Sequence, residues 1–228
     1  ELVNNKTEIA YLRNQINPHF LYNTLTLISG LASVNESQKI IDISLALSQI
    51  CRYSIKSNDI VTVRQELEII RSYLMIQMTR FEDRFDLTYD FTEEVYDALI
   101  PSMIIQPIVE NAVKHGLEKS LRKGHLTIGG RKNHKDDTLV LWIYDTGVGM
   151  TTKKLEQIRK MLKDSIDNRL DEGKAPAIPD AAVESDSLGL RNVNSRIYLY
   201  YGRPYKLHID SEYNIGTNIQ IKIPFRTS

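Results

Sequence analysis

The chain is short of cysteine, of net charge and of long apolar runs. Among 228 residues only Cys51 is a cysteine, so no internal disulfide can form, which fits a reducing compartment. Twenty-nine Lys and Arg balance 29 Asp and Glu. That balance speaks against a whole-chain polyanion binder, and the lack of an aromatic-basic patch against nucleic acid. No apolar run reaches the ~18 residues of a membrane span. The nearest, Ala98 to Val113, is cut by Pro101, Pro107, Glu110 and Asn111. The opening ELVNNKTEIAYL has neither Met nor a signal-peptide pattern and reads as mid-helix, so a longer parent protein upstream is expected. No internal repeat at a fixed period is present.

What remains is an ordinary globular composition, 42% hydrophobic and 25% charged, long enough for one large domain or two small ones. From Ile9 to Val34 the positions Ile9, Leu12, Ile16, Phe20, Leu27, Leu31 and Val34 keep helical spacing, with Leu21, Leu25, Ile28 and Ala32 as a second stripe. A helix apolar on two faces belongs in a bundle. After a turn at Ser33 to Ser37, a second helix carries Ile40, Ile43, Leu47, Ile50 and Cys51 on one face. The short link predicts an antiparallel hairpin. Two helices bury too little alone, which predicts a homodimer closing a four-helix bundle. His19 lies at the edge of the first stripe, with Asn23 one turn further on the same side.

Composition changes after Ser57-Asn-Asp59. Helices are expected over Val63 to Thr79, Pro101 to Leu117, Thr151 to Leu170 and Leu188 to Tyr200. Strands are expected over Phe85 to Phe91, His125 to Arg131, Thr138 to Tyr144, Lys206 to Asp210 and Thr217 to Ile223. Strands mixed with helices after a helical hairpin predict a second domain of α+β type.

Three stretches in it are candidates for chemistry. Asp145-Thr-Gly-Val-Gly149 ends an apolar strand. An acid there can accept from a buried amino group, while Gly147 and Gly149 let backbone approach a flat ligand; a glycine-bearing β-turn is the plain alternative. On a helix, Asn111 shares a face with Lys114 and His115. An amide carbonyl suits Mg²⁺ and a Lys suits phosphate, against the alternative of a solvated helix face. Ser187-Leu-Gly-Leu190 opens a helix with amides free for an anion, or is only a helix start. His19 taken alone reads as a partly buried helix histidine.

The order INPHFLYNTL, PIVENAVKHG, DTGVGM, LGLRNV and Gly216-Thr217 resembles the sensor histidine kinases of two-component systems, of the LytS/YehU type, from about Tyr11 to Phe225. The resemblance implies a dimerisation and phosphoacceptor hairpin over 1–60, with His19 as phosphorylated histidine. It implies a Bergerat-type α/β sandwich with a mixed sheet over 61–228, its ATP lid at about 150–186. Asn111 would match the Mg²⁺ asparagine and Asp145 the adenine-reading aspartate, supported by Thr217. Gly147, Gly149, Gly189 and Leu190 would border ATP, with Lys114 and His115 beside it. A response regulator would take the phosphoryl group, and a sensor or transmembrane region would lie upstream, placing this part on the cytoplasmic side of a bacterial membrane.

Three departures from the pattern stand out. Phe20 replaces the acid that commoner families place after the histidine, Pro107 stands where gyrase-type ATPases carry a water-activating glutamate, and Ser187 replaces a glycine. Glu110 is then the expected proton acceptor or metal-shell group, and Asn23 is expected to orient water for dephosphorylation. Pro18 is expected to loosen the helix beside His19. The rival expectations are an ATP-driven switch without phosphohistidine, and a degenerate kinase acting as scaffold.

Overall fold

The computed structural model describes residues 18–56, 58–82, 84–172 and 188–227. Helix α1 spans Pro18–Ser33 and α2 spans Ser37–Lys56. The expected helical turns from Ile9 to Ile16 lie outside the described residues. The link is a Schellman-type stop: Asn35 sits at φ 59°, its N–H bonds Ala32 O, and Glu36 N–H bonds Leu31 O. Val34 is therefore beyond the helix and exposed, not part of the stripe. On α2, Ile43, Ala46 and Ile50 are buried, while Ile41 and Leu45 on another face stay 51% and 60% exposed.

A short strand β1 (Ile60–Thr62) leads into α3 (Val63–Phe81). Thr62 caps that helix reciprocally with Gln65, the two bonds being 3.2 and 3.0 Å. Apolar side chains of α3 are buried nearly all round, as expected of a helix lying between two layers. One side meets the hairpin, where Ser72 Oγ donates to Gln49 Oε1 at 2.7 Å and the Phe20 and Tyr73 rings stand 5.3 Å apart.

Strands β2 (Phe85–Phe91), β4 (Gly124–Asn133), β5 (Thr138–Asp145), β6 (Leu207–Glu212) and β7 (Gly216–Pro224) form one sheet in the order β2-β4-β5-β7-β6. Only β2 and β4 run parallel, so the sheet is mixed as expected. In β5, Leu139, Leu141 and Ile143 are buried and alternate with Val140, Trp142 and Tyr144, the pattern of a sheet covered on one face. Helices α4 (Gln106–Asn111), α5 (Thr152–Glu172) and α6 (Leu188–Tyr201) belong to the covering layer.

One expectation needs correction. Pro101 does not start a helix: it ends strand β3 (Leu99–Pro101), paired with β1. A strand end accepts a residue without an N–H, and the proline in the first turn of α4 is Pro107. Past Asn111 the helix widens into a π-helical turn, Ala112–Leu117. Within the expected lid, 150–186, the helix expected over Thr151 to Leu170 is present as α5. Leu155, Ile158, Leu162 and Ile166 on α5 keep a three-four-four spacing and are buried, and Arg159 binds Ile209 O and Asp210 from that helix. The rest of the expected lid, 173–186, and Ser187 lie outside the described residues.

Candidate nucleotide site

Strand β5 ends at Asp145, opposite Thr217 on β7. Both open onto a cavity of about 390 Å³. Asp145 is only 3% exposed. Its Oδ1 accepts the Gly147 N–H at 2.8 Å. Burial pushes its carboxyl up to about 7, against the smaller pull of the Gly147 bond. A carboxylate so enclosed gains most from a ligand that brings a donor.

The loop after Asp145 has no room for side chains. A Cβ on Gly147 would stand 2.2 Å from the Gly116 carbonyl carbon, and one on Gly149, at φ 59°, 2.0 Å from Glu212 O. The DxGxG loop is thus pressed between the π-turn and the β6–β7 turn, which is the physical reason for its glycines. Gly116, where a Cβ would fall 2.4 Å from Asp145 Oδ1, is a site residue not singled out from the sequence. Thr217 is buried and shares a 2.9 Å hydrogen bond with Ser211.

Asn111, His115 and Lys119 line the cavity at successive four-residue steps. Lys114, expected on that face, is not among the lining residues. In the widened turn, four-residue rather than three-residue neighbours come into line. The Asn111 amide nitrogen is buried with no hydrogen-bond partner among the described residues. Gly189, at the start of α6, faces it closely enough that a Cβ would lie 3.4 Å from that nitrogen. Leu190 lines the cavity as expected.

Lys154, Thr151 and Tyr213 also line the cavity. Lys154 and Ile158 are one turn apart on α5 and both face it; that spacing, just after DTGVGM, was the available signal. Tyr213 comes from the β6–β7 turn, whose sequence carries no such cue.

Glu110 points elsewhere. It accepts Gln106 Nε2 at 2.9 Å. Burial holds its carboxyl above the usual range, opposed by the Gln106 bond and by the Lys114 charge. Burial raises the Tyr73 phenol well above its ordinary value, and the Glu110 charge adds to this; Glu110 is not among the residues lining the cavity. His19 is exposed on α1, with the Asn23 amide nitrogen 3.2 Å from its ring nitrogens. Neither lines the cavity.

Comparison with known proteins identifies the family. A family model described as histidine kinase matches residues 7–85, and one described as histidine kinase-, DNA gyrase B-, and HSP90-like ATPase matches 96–227. The chain is 36% identical over 227 residues to the sensor histidine kinase YesM of Bacillus subtilis (strain 168), covering 99% of this chain and 35% of that protein. It is 34% identical over 222 residues to the sensor protein LytS of Staphylococcus haemolyticus (strain JCSC1435), covering 96% and 34%. It thus spans about a third of these relatives. Among solved structures, the histidine kinase domain of a blue-light activated histidine kinase from Erythrobacter litoralis EL346 aligns over 97% of this chain and 95% of that one. Its TM-score is 0.47 at 14% identity. By both family models and by its relatives, the chain belongs to the histidine kinase-, DNA gyrase B- and HSP90-like ATPases, and among them to the sensor histidine kinases of the LytS/YehU type.

Proposed function

We propose that this chain binds ATP with Mg²⁺ in the cavity, transfers the γ-phosphoryl group to His19, and passes it to an aspartate of a response regulator. The observation that carries this reading is a buried Asp145 carboxylate that, among the described residues, has one backbone donor, on a cavity whose wall carries an Asn111 amide nitrogen with no partner among them. An adenine amino group supplies the donor that Asp145 lacks.

Among the described residues no group of three or more His, Cys, Asp or Glu is placed to hold a metal ion. A Mg²⁺ ion, which takes most of its oxygens from phosphate and water, fits one amide wall better than a carboxylate cage. Asn111 would hold it through its side-chain carbonyl oxygen, and the ion would supply neutralisation of phosphate charge. His115, Lys119 and Lys154 line the same cavity and steady the phosphates.

At neutral pH most imidazole carries a free lone pair. A His19 ring nitrogen forms the new N–P bond as the bond from the γ-phosphorus to the bridging oxygen breaks, and that oxygen leaves with the electron pair on ADP. Glu110, which neighbours Asn111 but does not line the cavity, takes the ring proton once the hairpin and the nucleotide helix are brought together. With Pro107 in the water-activating position, the γ-phosphoryl is directed to histidine rather than to water. Asn23, bonded to the ring, fixes the imidazole and serves the reverse reaction. The functional unit is a homodimer through the hairpin 1–60, with the ATP-binding part over 61–228. The test is incubation with γ-labelled ATP and Mg²⁺. An acid-labile label on the wild type, absent from His19→Gln, is expected. Steady phosphate release with no label overturns it.

A further inference from the structure

Segment 102–106 leads into the helix that carries Glu110 and Asn111. It is gripped from two sides. From α3, Glu66, fully buried, accepts the N–H groups of Ile105 at 2.7 Å and Gln106 at 3.1 Å on Oε1. From α6, Arg196, 3% exposed, donates through Nη1 to Ser102 O and, at 3.3 Å, to Met103 O. Met103 itself sits at φ 59°, a conformation a methionine adopts only where its surroundings impose it.

Burial pushes Glu66 up to about 7, while its backbone bonds and the Arg196 charge pull the other way. An acid and a guanidinium this deeply buried are costly to keep unless paired and hydrogen-bonded. Their placement has a consequence for the cavity. Glu66 belongs to the helix that packs on the hairpin through Tyr73 and Ser72. Arg196 belongs to the helix whose first turn sets Gly189 and Leu190 against Asn111 and the cavity.

We propose that Glu66 and Arg196 work as one clamp, a pair of positioning residues that sets Asn111 against α6 and fixes the nucleotide helix to α3, the helix seated on the hairpin. The clamp rests on the nucleotide reading of the cavity. Neither residue lines that cavity, so its effect on ATP is transmitted only through segment 102–106.

A double-mutant cycle in the full chain decides it, with Glu66→Gln, Arg196→Gln and the double variant. Calorimetric ATP affinity in Mg²⁺ buffer and Tm are read together. Glutamine keeps the shape of Glu66 and an acceptor for the two N–H groups, but carries no charge to meet the guanidinium. Each single variant is expected to bind ATP about tenfold more weakly, the scale of one charge-assisted hydrogen bond. The double variant is expected within about twofold of the weaker single, since coupled residues are non-additive. Leu139→Ala serves as control: Leu139 is buried and six residues before Asp145, roughly 20 Å along the strand. It is expected to lower Tm and leave ATP affinity intact. Multiplying losses in the cycle, single variants that bind like wild type, or an equal loss in Leu139→Ala each overturn the clamp. Should wild type bind no ATP, the nucleotide reading falls, and the same cycle in Tm decides the pair: coupling keeps it, strict additivity removes it.

Discussion

Replacing Asp145 by Asn is expected to make the empty protein more stable and the nucleotide complex weaker. Moving this carboxyl from 3.8 to about 7 corresponds to on the order of 4 kcal/mol against its ionised form. The folded value lies above the unfolded one, so between about pH 4 and 7 the native state holds a proton that the unfolded chain has lost. Stability therefore falls as pH rises through that window, and the full cost stands above it. Asn cannot ionise, and its carbonyl still accepts the Gly147 N–H. At pH 8 the variant should gain as much as 4 kcal/mol, on the order of 10 °C in Tm for a chain of this size; at pH 4 the two proteins should melt together. Glu66 is also raised to about 7, so the wild-type slope contains both groups and the difference between the proteins isolates Asp145. ATP loses a charged acceptor, an effect of about 1.5–3 kcal/mol, or roughly ten- to a hundredfold in affinity. Scanning calorimetry at pH 4 and 8, with ATP titration at pH 8, reads both. A lower Tm for Asp145→Asn at pH 8, or ATP affinity within twofold of wild type, refutes the reasoning.

Gly147→Ala forces a methyl to 2.2 Å from the Gly116 carbonyl carbon, so a loss of about 1–3 kcal/mol is expected together with ATP binding; unchanged melting would show that the loop has slack. Thr62→Ala removes one partner of the reciprocal cap on α3 and should cost about 1 kcal/mol in chemical denaturation, with an unaltered midpoint counting against the cap. Leu45→Glu places a charge on the exposed side of α2, where Ile41 and Leu45 have no cover. Sedimentation should then report monomers where wild type is dimeric, and a persistent dimer would assign the subunit contact to another face.

Much of the fold was legible because it is written locally. The five long strands follow runs of alternating or apolar residues, and α3 announces itself with Leu67, Ile70, Leu74 and Met78 at helical spacing. The misreading at Pro101 has a non-local cause. Nothing near that residue says that β1, some forty positions earlier, pairs with it, or that Glu66 supplies the cap that delays the helix to Gln106. Lys119 was missed for a related reason. Helical spacing of 3.6 puts Lys114 beside Asn111, whereas the π-turn favours the four-residue series that reaches His115 and Lys119. Tyr213 reaches the cavity only because the β6–β7 turn folds over the DxGxG loop, held by the Asn214 N–H on Val148 O.

The position of α3 bears on how His19 would meet ATP under the proposed function. A boundary at residue 60 assigns α3 to the ATP-binding part, yet the helix is packed on both sides. Towards the hairpin its contacts are chiefly apolar, joined by the Phe20–Tyr73 pair and the Ser72–Gln49 bond. Apolar contact is non-directional, and an aromatic pair adds only about 0.5–1.5 kcal/mol. Towards α4 the contact includes the Glu66 carboxylate on two backbone donors, directional bonds whose loss strands a buried acid. Sliding the hairpin along α3 therefore costs less than tearing α3 from the nucleotide helix. A movement that brings His19 to the cavity then divides the molecule at the hairpin face of α3, and the clamp residues travel with the ATP site.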